Sequence, residues 1–171
     1  APGHPYHGYY HDKEYGFPVA TDKKLFERLV LEINQAGLSW LTILKKREGF
    51  RNAFSDYNPE LVATYSETEI AKLMEDRSII RNRLKINAVI KNAQKICELQ
   101  DTHGSFCLWI ESQHPLEKRE WVKLFKKTFL FTGEQITGEF LMSIGYLPGA
   151  HKKSCHIYSK IAQLEPPFLR R

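Results

Sequence analysis

The sequence predicts an all-α fold. Apolar residues recur at helical spacing along most of the chain, helix-capping residues precede these stretches, and no stretch alternates apolar and polar residues convincingly as a half-buried strand would. The 171 residues, 42% of them hydrophobic and 26% charged, are typical of one globular domain with a sizeable core. We therefore expect helices packed on one another in a single domain of residues 1–171.

The first half of the chain contains three predicted helices. The first covers residues 21–35 and is ended by Gly37. The second, WLTILKKRE, follows the cap residue Ser39, and Gly49 is expected to close it. A third begins at Pro59, because proline suits the first helical position.

Further helices follow at regular intervals. Ser66 and Glu69 form the pattern of a capping box and predict a fourth helix. A longer amphipathic helix is predicted from about Asn82, and a short apolar one over residues 105–112, around Trp109.

The last part of the chain is predicted as two helices joined by a turn. Residues 113–120 are expected to form a connecting loop, after which helical spacing resumes at Trp121. A break at Thr132 and Gly133 separates the two helical segments, and the C-terminal PPFLRR is expected to be a loose tail.

Composition restricts the partners and the compartment. The net charge of +5 and the pI near 9.1 favour a polyanionic partner. There is no apolar run near 18 residues and the N-terminus is unlike a signal peptide, so we expect a cytoplasmic monomer with no membrane partner. Three cysteines without framework spacing favour a metal site or a buried thiol over disulfides.

Histidine and cysteine spacing supplies one candidate site. His7 and His11 are four residues apart, as are His151 and Cys155 near the other end of the chain. Side chains at i and i+4 share a helix face, and imidazole with thiolate suits zinc. The alternative is surface histidines and one buried cysteine.

A second candidate site combines one acid with several aromatic residues. Glu32 lies on or beside the apolar stripe of its helix, three residues after Leu29, where an acid needs a partner or a function. Aromatic faces stack on nucleobases, and a carboxylate accepts hydrogen bonds from exocyclic amines. The alternative is a core edge with tyrosine hydroxyls at the surface. The aromatic members are Tyr6, Tyr9, Tyr10, Tyr15 and Trp40.

The break between the last two helices is a candidate DNA contact. A turn that closes on Gly133 exposes backbone N–H groups at the start of the next helix, and such groups can bind a phosphate. Lys126 and Lys127, just upstream, are possible auxiliaries. Helix–helix turns with glycine are common, so this signal alone is weak.

The segment YYHDKEYGFPVATDKKLFERLVLEINQAGLSWLTILKKREGFRNAF, residues 9–54, closely resembles the N-terminal half of the 3-methyladenine DNA glycosylase I family, the bacterial Tag type. The shared motifs are YHD-x-E-[WY]-G-x-P, D-x-K-x-LFE and LE-x-x-QAGLSW-x-x-[VI]LKKRE. Beyond about Leu99 the similarity is limited to TFLFTG and the ending His-x3-Cys.

The fold implied by the resemblance is a helix-hairpin-helix DNA glycosylase with two helical lobes. The helical core would cover about 21–112 and the hairpin lobe about 121–146. The terminal segments 1–15 and 147–171 would pack together, joined by a zinc snap.

The resemblance also assigns roles to residues of the predicted pocket. Glu32 matches the family's base-contacting acid, Tyr10 its pocket tyrosine and Trp40 its stacking tryptophan. Tyr15 stands where a tryptophan is usual, and His7 where a tyrosine is usual, so both would alter the pocket.

Other matching positions would contact DNA or metal. Leu38, after Gly37, would wedge toward the gap left by a flipped base, and Thr132 with Gly133 would contact the DNA backbone. His11, His151 and Cys155 match three ligands of the family's structural zinc.

The fourth zinc ligand of the family, a cysteine, normally lies upstream of where this chain begins. We expect that N-terminal residues are missing from the sequence. The alternatives are that His4 or His7 substitutes for the cysteine, or that no zinc binds.

The activity implied by the resemblance is DNA base-excision repair. The enzyme would flip 3-methyladenine out of double-stranded alkylated DNA, hydrolyse its N-glycosidic bond and release the free base. The wider superfamily often uses an aspartate after the hairpin, and its absence from residues 133–171 agrees with the Tag type. Two alternatives remain: a non-catalytic module that binds damaged DNA on the same scaffold, and a structural helical protein in which Glu32 is merely paired.

Overall fold

A computed structural model describes residues 3–170, and every regular element in that range is helical. The all-α prediction is confirmed for this part of the chain. Short 3₁₀ turns lie at Ser55–Tyr57 and Pro167–Leu169. The α-helices are α1 (His7–Lys13), α2 (Asp22–Gln35), α3 (Trp40–Lys45), α4 (Arg47–Ala53), α5 (Pro59–Ala63), α6 (Glu67–Glu75), α7 (Arg83–His103), α8 (Phe106–Gln113), α9 (Lys118–Thr128), α10 (Glu134–Ser143) and α11 (Tyr158–Gln163).

Helix α2 is the central element of the core. Its residues Phe26, Leu29, Val30 and Ile33 are completely buried, and the helix packs against α3, α7, α8 and α10. One hydrophobic cluster extends from Leu25 of α2 to residues that follow α10. Because α2 is buried nearly all round, any polar side chain on it faces either a buried partner or an internal cavity.

The predicted helix caps are observed. The Ser39 hydroxyl accepts from the backbone of α3, and the Asn58 side chain accepts from the backbone of α5. Ser66 and Glu69 form the capping box of α6. Asp22 is the first residue of α2, and its carboxylate also accepts from the first two N–H groups of α8. This one residue therefore joins the start of α2 to the start of α8.

Two predicted boundaries in the first half are wrong. Helix α3 ends at Lys45 and a new helix starts at Arg47, so Gly49 lies inside α4 and closes nothing. A Cβ on Gly49 would lie 2.2 Å from the Ser78 carbonyl oxygen, which explains why glycine is needed there. Helix α1 was not among the predicted helices.

Two predictions near the C-terminus also need correction. Helix α9 begins at Lys118 with a capping box between Glu117 and Glu120, so the predicted loop over 113–120 is too long. The C-terminal segment is not loose, because Pro167 is buried and the Phe168 N–H donates to the Gly145 carbonyl at 3.1 Å. Residues 1, 2 and 171, at the outer ends of the predicted terminal segments, lie outside the described residues.

The turn between α9 and α10 is held against α7. The Asn92 side-chain Nδ2 donates to the Leu130 carbonyl at 2.9 Å, and the Leu130 N–H donates to the Asn92 side-chain Oδ1 at 2.8 Å. Helix α10 then packs on α2. The Ser143 carbonyl, at the end of α10, accepts from Arg28 of α2 and from the Gly16 N–H, so three separate segments meet there.

Among the helices of residues 3–170, none combines the length and the apolar character that crossing a membrane requires.

Candidate active site

A cavity of about 390 Å³ lies where α1, α2, α3 and α10 meet. It contains the five residues to which the family resemblance gave roles in the base pocket, although they come from three helices and a loop. Tyr6 and Tyr9, the other aromatic members of that candidate site, do not line the cavity and are 43% and 62% exposed. Sequence reasoning missed three further residues of its wall, Gln35, Gln135 and Glu139. The complete lining is His7, Tyr10, His11, Tyr15, Glu32, Gln35, Trp40, Gln135 and Glu139.

Glu32 is the deepest charged residue of the cavity. It is only 4% exposed, and no hydrogen bond joins its carboxylate to another residue within 3–170. Burial and, to a smaller extent, the charge of Glu139 raise the pKa of Glu32 to about 8, although Arg28 opposes the shift. The carboxylate is therefore unpaired within the described residues, costly to ionise at this depth, and open to a cationic or hydrogen-bonding ligand.

Aromatic rings form the wall beside Glu32. The Tyr10 ring stacks on Tyr15 with centroids 5.6 Å apart, and its other neighbour, Trp40, is 5.1 Å away. The Arg28 guanidinium lies 5.2 Å from the centroid of Tyr10. The Tyr10 hydroxyl is buried and has no partner among the described residues, while burial raises the pKa of this phenol. It therefore remains a protonated, unused donor.

A half-buried ion-pair network supports this wall from behind. Glu14, which follows α1, accepts two hydrogen bonds from Arg47 at 2.5 and 2.8 Å. Arg47 also donates to Glu27 at 2.9 Å. Burial alone would raise the pKa of Glu14, but the hydrogen bonds and charge of Arg47 outweigh it and lower the pKa. The network fixes the segment that carries Tyr10 and Tyr15 against α2 and α4.

The polar residues that sequence reasoning missed lie on one face of α10. Gln135 and Glu139 are four residues apart, so they share that face. The Tyr15 hydroxyl donates a long hydrogen bond of 3.4 Å to Glu139. Their spacing was visible in the sequence, but it does not show which polar face of an amphipathic helix borders a cavity.

The predicted DNA-contacting residues occupy two turns. Gly37 has a φ of +79°, and the side chain of Leu38 beside it is 39% exposed. Gly133 begins α10 in an extended conformation, and a Cβ at this residue would have no neighbour within 4 Å.

Thr132 is placed differently from the prediction. It is only 3% exposed, and its hydroxyl donates to the carbonyls of Phe125 and Phe129. Its side chain therefore builds the turn and does not reach the surface. The exposed side chains of this turn are instead Leu130 and Phe131, which sequence reasoning did not single out.

The predicted metal ligands form a cluster. The nitrogen and sulfur atoms of His11, His151 and Cys155 all lie within 4.8 Å of one another. The Cys155 Sγ is 3.6 Å from His11 Nε2 and 3.6 Å from His151 Nδ1. In tetrahedral zinc coordination with Zn–S of about 2.3 Å and Zn–N of about 2.05 Å, sulfur and nitrogen are roughly 3.6 Å apart.

The outer nitrogens of both histidines fix their tautomers. His151 Nε2 donates to the Tyr15 carbonyl at 2.6 Å, and His11 Nδ1 donates to the Asp12 carboxylate at 2.7 Å. Because these oxygens only accept, the outer nitrogens carry the protons, and in the neutral rings the lone pairs of the inner nitrogens face Cys155. Burial lowers the pKa of His151, which also favours the neutral ligand form.

The two histidines considered as a fourth ligand are engaged elsewhere. His4 Nδ1 accepts from the N–H groups of Tyr6 and His7 at the start of α1. The His7 side chain lines the cavity. Neither belongs to the metal-ligating cluster found among residues 3–170.

Known proteins resemble this chain in both sequence and fold. A family model described as methyladenine glycosylase matches residues 2–123. The DNA-3-methyladenine glycosylase of Haemophilus influenzae is 33% identical over 165 residues, covering 85% of this chain and 89% of the relative. DNA-3-methyladenine glycosylase 1 of Escherichia coli is 34% identical over 168 residues, covering 87% and 89%.

Solved structures agree with the sequence comparison. A 3-methyladenine DNA glycosylase I from Staphylococcus aureus, solved to explain recognition of 3-methyladenine, has a TM-score of 0.83 at 32% identity and covers 91% of this chain and 92% of its own. A crystal structure of 3-methyladenine DNA glycosylase I has a TM-score of 0.81 at 32% identity, with coverage of 90% and 94%.

Proposed function

The chain belongs to the methyladenine glycosylase family, and on this basis we propose how the residues of its cavity recognise the damaged base. The protein is a DNA-3-methyladenine glycosylase of base-excision repair, which hydrolyses the N-glycosidic bond of 3-methyladenine in alkylated DNA. We assign base recognition to the cavity around Glu32, with the base flipped out of the double helix to reach it.

The observation that carries this proposal is the unpaired Glu32 carboxylate, 4% exposed beside aromatic rings. Methylation at N3 gives adenine a delocalised positive charge and weakens its bond to the sugar. A cationic base next to Glu32 favours the ionised carboxylate, which also accepts a hydrogen bond from the exocyclic amine. Neutral adenine offers no charge to offset the cost of ionising a buried acid, so it binds less well.

The aromatic residues supply the stacking contacts. Trp40 and Tyr10 are in contact with each other, with ring centroids 5.1 Å apart, and both border the same cavity as Glu32. A purine that stacks on one of these rings gains stacking energy whatever its charge. The free Tyr10 hydroxyl is a further donor or acceptor for the base edge. Tyr15 continues the stack on Tyr10, and His7 closes the cavity at the start of α1.

We assign DNA contacts to the two exposed turns. Leu38 would fill the gap left by the flipped base, because it is apolar and exposed on the turn at Gly37. The turn from α9 to α10 would act as a helix-hairpin-helix element, with the backbone N–H groups that follow Gly133 binding phosphate. Thr132 would shape this turn from within.

We assign a structural zinc to His11, His151 and Cys155. The ligand spacing, the free inner nitrogens and the hydrogen-bonded outer nitrogens all fit this metal. Bound zinc would cross-link α1 to the segment before α11, and so join the terminal segments of a single domain. It would take no part in the reaction.

Chromatography of bases released from methylated DNA tests this function. We expect the wild type to release 3-methyladenine and Glu32→Gln, which preserves side-chain shape, to release far less. Binding to methylated DNA without any release would favour the non-catalytic damage-binding module. Failure to bind DNA at all would favour a structural protein in which Glu32 has no ligand.

A further inference from the structure

Glu139 lies where the base cavity meets a second open space. This outer groove has a volume of about 540 Å³ and borders α9, α10 and the segment after α10. Only Gln135 and Glu139 line both the cavity and the groove. Glu32 lines the cavity alone and is 4% exposed, whereas Glu139 is half-buried. The two acids therefore stand at different depths, with Glu139 at the junction.

The two depths correspond to the two parts of a flipped nucleotide, the base and the sugar. The base goes in first and reaches the deep carboxylate, while the glycosidic bond and the sugar remain toward the opening. The outer groove is bordered by Glu134 and Gln135, which directly follow the Gly133 turn to which DNA contacts are assigned. A carboxylate where this groove meets the cavity is therefore placed on the sugar side of the base. This inference rests on the proposed function, since it requires a nucleotide in the cavity.

The Glu139 carboxylate makes one long hydrogen bond and keeps acceptor capacity. Its Oε2 accepts from the Tyr15 hydroxyl at 3.4 Å, and Tyr15 is itself stacked on Tyr10. No hydrogen bond within residues 3–170 occupies its other oxygen, Oε1. A water molecule or a developing positive charge on the sugar would therefore meet a free carboxylate oxygen.

We propose that Glu139 is a second catalytic carboxylate, which acts on the sugar side of the flipped nucleotide. The C1′–N bond breaks, and its electron pair moves into the purine ring and neutralises the cationic base. The Glu139 carboxylate stabilises the positive charge that develops on the sugar. A water oxygen then bonds to C1′, and Glu139 accepts the proton that this water loses and returns it to solvent.

The carboxylate at this place in the chain is not an aspartate. Residues 133–171 contain no aspartate, so the residue that the wider superfamily often uses after the hairpin is absent. Glu139, six residues after Gly133, has the same carboxylate on a side chain one methylene longer. Its place on the first turns of α10, rather than farther along the chain, brings that carboxylate to the cavity.

Glu139→Gln separates catalysis from base binding. We expect single-turnover release of 3-methyladenine at saturating enzyme to fall about tenfold to a hundredfold, because general acid–base groups typically contribute about 10²–10⁴-fold and this base is already labile. Binding of free 3-methyladenine should stay within about threefold of the wild type, whereas Glu32→Gln should weaken it. Glu139→Asp, which keeps the carboxylate, should release base faster than Glu139→Gln.

Glu75→Gln is the matched control for charge. This glutamate is exposed at the end of α6, outside the cavity, and the substitution removes one negative charge from the protein in the same way. We expect wild-type release from it, and melting temperatures should show that all variants are folded.

Two results would overturn the inference while leaving the proposed function intact. One is release by Glu139→Gln at the wild-type rate, which would make Glu139 part of the wall only. The other is loss of free-base binding together with release, which would make it a base contact. If the wild type itself released no base from methylated DNA, the proposed function would fail, and this inference with it.

Discussion

Glu32 of α2 and Glu139 of α10 face one cavity from two helices that pack on each other, and the charge of Glu139 raises the pKa of Glu32. Neither carboxylate has an ion-pair partner within 4.0 Å among residues 3–170. Arg28, the nearest opposing charge, is held by the Ser143 carbonyl and faces the ring of Tyr10. Two acids with no cation between them favour a positively charged base as the ligand.

The first prediction concerns stability and pH. Burial, with Glu139, raises the pKa of Glu32 from 4.5 to about 8, so the folded state holds a proton that the unfolded state has lost between these values. The wild type should therefore lose stability as pH rises from about 4.5 through about 8. At one pKa unit per 1.36 kcal/mol the loss is at most about 3–5 kcal/mol.

Thermal melting of Glu32→Gln measures this effect. The variant should match the wild type near pH 4 and exceed it at pH 8.5, because glutamine has no proton to lose. A constant difference between the two proteins across this range would show that Glu32 ionises freely in the folded state.

The second prediction concerns the pH dependence of base binding. Free 3-methyladenine should bind better as Glu32 ionises, with Arg28 favouring that form and Glu139 opposing it. Glu139→Gln removes one opposing charge and should shift the acid limb of the binding curve to lower pH. Titration calorimetry of both proteins with the same ligand checks this, since the ligand's own titration is common to both. Coincident curves would contradict the electrostatic coupling.

The third prediction separates charge recognition from stacking. Hydrogen bonds to charged groups contribute about 1.5–3 kcal/mol, so Glu32→Gln should reduce excision of 3-methyladenine roughly tenfold to a hundredfold. Trp40→Ala should weaken binding of neutral and methylated bases alike, because a ring face stacks on both. Single-turnover release from methylated DNA, where the base is cationic, and binding of the free bases, which are neutral, distinguish the two. Equal losses of release and of free-base binding in Glu32→Gln would mean that the acid does not recognise charge.

The helices and the principal acid were predictable from the sequence because their signals are local. Caps such as Ser39, Asn58 and Ser66 act within one turn, and the position of Glu32 on an apolar stripe follows from helical spacing. The family resemblance added the aromatic partners, which are distant in sequence.

The features that escaped prediction depend on contacts between distant segments. Residue 49 must be glycine, although it lies inside a helix, because Ser78 packs against it. The Thr132 side chain turns inward because the carbonyls of Phe125 and Phe129 accept from its hydroxyl. Glu139 borders the cavity only because α10 packs on α2. None of these contacts produces a pattern that can be recognised within a few consecutive residues of the sequence.

The fourth prediction concerns metal removal. A metal that binds only the folded state stabilises it by mass action, so a strong chelator should lower the melting temperature. Cys155→Ser should lower it similarly in the absence of chelator and then respond no further. Cys97→Ser is the control, because that thiol lies on α7, away from the cluster, and should leave the chelator response unchanged. Elemental analysis showing no zinc in the purified protein would contradict the assignment.

The fifth prediction concerns the turn that begins α10. A side chain at Gly133 meets nothing within 4 Å, and the φ of −68° suits any residue, so Gly133→Val should fold normally. The bulk would nevertheless keep a phosphate from the N–H groups that follow it. Affinity for undamaged duplex DNA should fall severalfold, with free 3-methyladenine binding unchanged.

The affinity of the wild type for DNA should also fall steeply with salt concentration, because each phosphate contact releases counterions. The salt slope of Gly133→Val should be shallower by about one contact. Fluorescence anisotropy across a salt series compares the wild type with the variant. Gly49→Ala is the control for a substitution that clashes: its Cβ would lie 2.2 Å from the Ser78 carbonyl oxygen, so this variant should have a lower melting temperature. An unchanged salt slope in a folded Gly133→Val would place the phosphate contacts on another surface, because removal of a backbone phosphate site cannot leave counterion release the same.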